Sequence, residues 1–347
     1  MKHTDSDLAQ MQSLPLSAKI TMTKRRIRDW YEAWDGLVYV AFSGGKDSTV
    51  LKHIVDSMYS DVPSVFVNTG LEYPEIQKFA KSQKNVITLT PSMRFDEVIK
   101  KYGYPVISKE VSKRVKEYHN AEKKGRLEKS LAYKELNGLY TMKNGEPSAY
   151  NKNKYKYLLD ADFKISDLCC NEMKKKPSKL YAKKTGRKPI TGELAGESRI
   201  RKNAWKKHGC NAFDSEEPKS TPLAFWTEQD ILHYIKLYNV PYCSVYGDIM
   251  VKQGEQLDGQ VHVADFLQDY SHEDILETTG CDRTGCIFCM FGCHLEDNPN
   301  RFERLKETHP KHYEYCINGG EKVNGIWQPS KKGLGLRKVL DYIGVKY

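Results

Sequence analysis

The run Ser43-Gly44-Gly45-Lys46-Asp47-Ser48-Thr49 constrains this chain more than any other stretch. Before it, residues 37–42 form a short, almost wholly apolar run that reads as a buried parallel strand; after it, residues 50–55 resume as a helix. Two adjacent glycines let the backbone turn sharply and approach a ligand with no Cβ in the way. The N–H groups of such a turn, with the partial positive charge of a helix start behind them, point at an anion. Ser43, Ser48 and Thr49 add hydroxyls and Lys46 adds a mobile cation. Asp47 cannot bind phosphate directly but could hold Mg²⁺ bridging phosphates. The Gly-x4-Gly-Lys-Ser/Thr spacing of a Walker loop is absent. The plainer reading is a glycine turn joining strand to helix, and the flanking pattern argues against it.

The surrounding chain alternates strand and helix. Residues 18–34 space Ile20, Ile27, Trp30 and Trp34 as a helix, 63–67 and 85–89 read as strands, and 95–102 reads as a helix. Pro74 opens another helix where its missing N–H does no harm. This order predicts an α/β fold around a parallel sheet with right-handed crossovers. Asn68-Thr69-Gly70 is then a turn at the C-terminal end of the second strand, beside the crevice where such sheets bind ligands. Residues 109–160, rich in Lys and Tyr, read as a helical insertion with a turn at 144–147, and 190–192 as a returning strand edge. Thr227, with Asp230 three residues on, caps a hydrophobic helix assigned to packing. We expect a helical lead-in over 1–36, a nucleotide-binding domain over 37–245, and a Cys-rich, helical region over 246–347 that completes a metal site.

Charge is unevenly placed. The chain carries +10 overall, yet residues 101–210 hold about 28 Lys+Arg against about 12 Asp+Glu, so a polyanionic partner such as a nucleotide or nucleic acid is expected there. No apolar run approaches the roughly 20 residues that span a bilayer. The N-terminal stretch also lacks the apolar core of a signal peptide, so a cytoplasmic setting without membrane attachment is expected. Nine cysteines in a reducing compartment point to metal ligation or thiol chemistry. Cys169-Cys170 is a tandem pair, and Cys281-x4-Cys286-x2-Cys289-x3-Cys293 stands far downstream. A Cys-x2-Cys turn presents two thiolates to one centre, and the tandem pair can supply two more. Spacing alone leaves a [4Fe–4S] cluster and structural zinc both open. Cys210, Cys243 and Cys316 read as packing residues.

Ser43 to Ser48 resembles the PP-loop motif of ATP pyrophosphatases and adenylating enzymes, and the whole pattern resembles the phosphoadenosine-phosphosulfate (PAPS) reductase family. Residues 68–74 are similar to that family's Asp-Thr-Gly-x-Glu-Phe-Pro turn, with Asn68 in place of Asp. Cys169-Cys170-x3-Lys174, then Gly192-x4-Glu197-Ser198-x2-Arg201, resembles its Cys-Cys…Lys…Gly…Glu-Ser-x2-Arg run. The resemblance implies an adenine nucleotide (ATP or PAPS) bound by residues 43–49, Asn68, Thr69, Gly70, Gly192 and Glu197. It also implies a [4Fe–4S] cluster, with zinc as the alternative, on Cys169, Cys170, Cys286 and Cys289.

Two departures count against PAPS reduction. The tail from Gly333 to Tyr347 lacks the family's Glu-Cys-Gly nucleophile, and Leu194 stands where many reductases place an arginine. The iron–sulfur phosphorothioation and tRNA-thiolation relatives supply the expected activity instead. In them ATP adenylates an oxygen with loss of pyrophosphate, and sulfur then displaces AMP. Lys46, Asp47 and Arg201 are the expected catalytic residues, with Lys174 supplementing the clamp and Glu197 orienting Arg201. Cys281 or Cys293 could carry sulfur, nucleic acid could be the acceptor, and a sulfur- or electron-donor protein could be a partner. Reduction of PAPS or adenosine phosphosulfate by Cys316, Cys281 or Cys293, and a non-catalytic binding subunit, are the alternatives.

Overall fold

The computed structural model describes residues 3–252 and 274–347. Its strands begin, in chain order, with β1 (Val38–Phe42), β2 (Ser64–Val67), β3 (Val86–Leu89), β4 (Val106–Ile107), β5 (Lys188–Thr191), β6 (Asn211–Ala212) and β7 (Lys219–Ser220). The first ten helices are α1 (Asp5–Gln12), α2 (Leu16–Ala33), α3 (Lys46–Met58), α4 (Pro74–Ser82), α5 (Phe95–Tyr102), α6 (Lys109–Lys123), α7 (Leu131–Leu136), α8 (Lys176–Thr185), α9 (Arg199–His208) and α10 (Glu228–Leu237). The chain divides into two compact units that interleave in sequence. The first is Met1–Asn68, Glu72–Leu89 and Ser178–Thr284; the second is Thr69–Leu71, Thr90–Pro177 and Gly285–Tyr347.

The first unit is built on a six-stranded sheet in the order β3-β2-β1-β5-β7-β6. Neighbours are parallel except the last pair, where β6 runs antiparallel to β7. β1 lies inside the sheet, Val40 pairing with Ser64 on one side and Ile190 on the other, and Val38 and Val40 have no exposure. Burial on both faces is why this strand is apolar without alternation. Residues 190–192 were expected at a strand edge, but β5 is interior, paired with β1 and β7. Lys188 and Pro189 give it the look of a turn, while Arg187 fastens the approach by donating to the Val38 carbonyl at 2.8 Å.

Helix α2 buries Ile20, Ile27 and Trp30 as its spacing predicts. Helix α1, capped by a reciprocal Thr4–Asp7 box, falls within the expected helical lead-in. The expected cap of α10 is present: Thr227 Oγ1 accepts from Asp230 N at 3.2 Å, and the Asp230 carboxylate accepts from Thr227 N at 2.6 Å. Buried Lys19 donates to both Asp230 oxygens at 2.7 and 2.8 Å, and Trp226 Nε1 donates to Thr23 Oγ1 at 2.9 Å. These contacts fix the start of α10, and with it Glu228, against α2.

In the second unit the Lys- and Tyr-rich insertion is helical as expected, with α6 and α7 followed by a 3₁₀ run over Asn153–Asp160. Buried Glu135 pins it, accepting from Arg114 Nε at 2.7 Å and from Lys152 Nζ at 3.1 Å. β4 pairs in parallel with Met290–Phe291, placing the Cys-rich tail beside α6 of the same unit. Two short helices follow as expected, Arg301–Thr308 and Pro310–Ile317. A hairpin over Glu321–Gln328 and a helix over Leu336–Tyr342 come after them, and neither was read from the sequence.

Candidate functional site

The glycine-rich loop closes on itself and on the start of α3. Gly44 takes φ +75°, a conformation that favours glycine, and Gly45 caps the helix. The hydroxyls expected to face a ligand also shape the loop. Ser43 N donates to Ser48 Oγ at 3.2 Å, Gly45 N to Ser43 Oγ at 3.3 Å, and Ser48 Oγ and Thr49 Oγ1 each to the Gly45 carbonyl at 2.9 Å. Gly192 lies against the loop: a Cβ there would sit 3.1 Å from the Asp47 carbonyl oxygen and 3.2 Å from Ser48 Cα.

Chain from far downstream completes the first unit's site. Lys46 N donates to Tyr246 Oη at 3.2 Å, and that hydroxyl lies 2.7 Å from Thr284 Oγ1. The buried Lys46 ammonium donates to the Asp282 carbonyl at 2.8 Å and pairs with Glu228 Oε1 at 2.9 Å. Glu197 pairs with Arg201, as the resemblance implies, and also accepts from Arg283 at 2.5 Å. Burial pushes the Asp47 carboxyl up against the pull of Lys46; Glu228 adds to the rise, while Arg283 and Arg201 oppose it. Tyr246, Asp282, Arg283 and Thr284 were not anticipated, and Glu228 had been assigned to a packing helix. Only the nearness of 282–284 to the Cys motif offered a hint.

Asn68 ends a segment of this first unit, just after β2. Thr69 and Gly70 belong to the second, with Leu71, whose carbonyl accepts from Ile287 N at 2.8 Å. There Leu71, Phe95, Pro105 and Met173 form the apolar walls of a small cleft that Cys169, Cys170, Cys286 and Cys289 also line. The sequence-predicted thiols are thus brought to one cavity, and Lys174 lines it too. Cys169 and Cys170 stand 4.0 Å apart at sulfur. The hydrogen bond from Cys169 pulls Cys170 down to about 6; burial opposes this, and Lys109, Lys174 and Lys175 assist it. That same bond, with burial, pushes Cys169 up. Among the described residues no three His, Cys, Asp or Glu side chains gather closely enough to hold a single metal ion.

The remaining cysteines separate by burial. Cys210, Cys243 and Cys316 are buried, as packing residues would be, and burial raises the Cys316 thiol well above its ordinary range. Cys293 is buried and donates to the Met290 carbonyl at 3.0 Å, its thiol pushed up to about 12. Cys281 is half-buried, in the unit that carries the loop.

An uncharacterized protein of Methanocaldococcus jannaschii is 31% identical over 86 residues, which is 23% of this chain and 21% of that protein. The chain therefore spans about a fifth of that relative's length. Among solved structures, a PAPS reductase from Candida auris in complex with phosphate aligns over 75% of this chain and 99% of its own, at 14% identity and a TM-score of 0.36. The U34-tRNA thiolase NcsA of Methanococcus maripaludis, with its [4Fe-4S] cluster, aligns over 65% and 66%, at 14% identity and a TM-score of 0.32. No helix among the described residues is long and apolar enough to cross a membrane. Residues 37–290, from the first sheet strand to just past Cys289, match the phosphoadenosine phosphosulfate reductase domain, and the chain belongs to that family.

Proposed function

We propose that this chain is an ATP-using sulfurtransferase that activates its acceptor by adenylation. The observation that carries this reading is that Lys46, Arg283 and Arg201, the last two bound to Glu197, all act electrostatically on Asp47 at the start of α3, against which Gly192 packs. Cations and helix amides held in advance around one point stabilise charge that grows on a phosphoryl group. In the first step an acceptor oxygen bonds to the α-phosphorus of ATP and pyrophosphate leaves with the electrons of the broken P–O bond. In the second, sulfide forms a bond to the acceptor carbon and AMP departs with the electrons of the broken C–O bond. Lys46 and Arg201 would hold the phosphates, and Asp47 would hold a magnesium ion that neutralises phosphate charge.

Four thiols around one cleft fit a [4Fe–4S] cluster held by Cys169, Cys170, Cys286 and Cys289. Zinc on the same thiols is the alternative, and metal analysis separates the two. When bound, the cluster would supply an iron site for sulfur or electrons. Half-buried Cys281 suits a sulfur carrier better than buried Cys293. Nucleic acid is the acceptor that the surface of the insertion favours. Leu139, Tyr150 and Tyr157 are exposed there among the exposed lysines Lys143, Lys154 and Lys156, a combination that holds strands by stacking and charge.

The test is pyrophosphate release from ATP by anaerobically prepared protein with nucleic acid and a sulfide donor. Turnover that disappears in Asp47→Ala is expected. Sulfite release from PAPS with a thiol donor, or full activity in Asp47→Ala, would overturn the assignment.

A further inference from the structure

We infer that Glu228 decides which adenine nucleotides the loop retains, excluding monophosphates and admitting polyphosphates; this rests on the nucleotide reading above. The Lys46 ammonium is almost fully buried, with its side chain 6% exposed, and its only anionic partner among the described contacts is the Glu228 carboxylate at 2.9 Å. The ammonium's other hydrogen-bond partner, the Asp282 carbonyl, is neutral, and the Tyr246 hydroxyl accepts from the Lys46 backbone N–H. Arg201 and Arg283 both rest on Glu197. Glu228 differs from Glu197 in exposure, its side chain being 56% exposed against 18%. It is the first residue of α10, whose backbone the Thr227–Asp230 box and Lys19 hold in place. Rotation of its side chain alone carries the carboxylate into water.

A phosphate that enters the loop must take Lys46 from that carboxylate. A monophosphate trades one anion for another and gains little. A polyphosphate brings further oxygens to the helix amides and the two guanidiniums, and so overcomes the competitor. The same competition favours departure of AMP once sulfur has displaced it from the acceptor, because Glu228 returns to Lys46.

Calorimetric titration of the full chain with ATP and with AMP tests this, comparing the native residue with Glu228→Gln, which keeps shape and removes charge. AMP should bind the variant about tenfold more tightly while ATP changes less, so that discrimination narrows. An unchanged AMP-to-ATP ratio, or weaker AMP binding in a variant with a normal melting curve, would overturn the inference. Should neither nucleotide bind either protein, the nucleotide reading fails by itself, and inorganic pyrophosphate then decides on Glu228. Tighter pyrophosphate binding by the variant upholds the competition, and equal binding refutes it.

Discussion

Gly192 acts by leaving space. Any side chain there would press on the Asp47 carbonyl and the Ser48 backbone at about the tightest separation a real Cβ tolerates. Both atoms belong to the first turn of α3, where they cannot yield without moving the loop. Gly192→Ala should therefore lower ATP affinity by about tenfold, within the 1–3 kcal/mol typical of overpacking. Calorimetry beside a melting curve checks this: undiminished affinity would show that the loop tolerates the added methyl. Gly192 was legible only through the family resemblance, whereas the loop's own glycines were legible because they sit in one run between an apolar strand and a helix. Tyr246, Asp282 and Glu228 were not. They reach Lys46 across 182 to 236 residues of chain, and nothing in a lone Tyr, Asp or Glu announces such a contact.

At the scale of elements, the strands named from short apolar runs were found where expected. β5 was misjudged as an edge because a strand led by Lys188-Pro189 looks exposed, although Ile190 has no exposure at all. The insertion was legible as helical but not in how it is held. Its α6 and α7 are tied by one buried carboxylate, Glu135, placed between Arg114 and Lys152. Burial raises that carboxyl, but the two cations outweigh it and hold the group below the usual range. Stability gained this way is present above the unfolded carboxylate value and is lost as pH falls through the lowered folded one. Glu135→Ala leaves two partly buried cations without this partner and should cost about 3 kcal/mol in urea unfolding. Against Glu135→Gln, the native residue should keep its advantage at neutral pH and lose it progressively below about pH 4. A variant as stable as the native chain at neutral pH would show the insertion to be held by its apolar contacts alone.

Across the whole molecule, the loop and the thiol cavity lie in separate compact units, and the chain passes between these units five times. One crossing follows Asn68 and another follows Thr284, two residues before Cys286, so the 68–74 turn and the downstream cysteine motif each straddle a change of unit. A left-to-right reading of the sequence sees these motifs as a series, and only folding sorts them by body. Cys169 and Cys286 are 117 positions apart yet line one cavity, and that gathering is what makes a metal assignment testable. Protein prepared without oxygen should carry about four iron and four sulfide per chain, with the broad visible absorbance of a cluster. Cys170→Ser and Cys289→Ser should each lose most of that iron, while Cys210→Ser, in the core of the other unit, should keep it. Because the four thiols belong to the second unit, the loop variants Gly192→Ala and Asp47→Ala should keep full iron while losing nucleotide affinity or turnover. One equivalent of zinc, with no iron and no colour, would leave the cavity a structural clamp and remove iron from the chemistry.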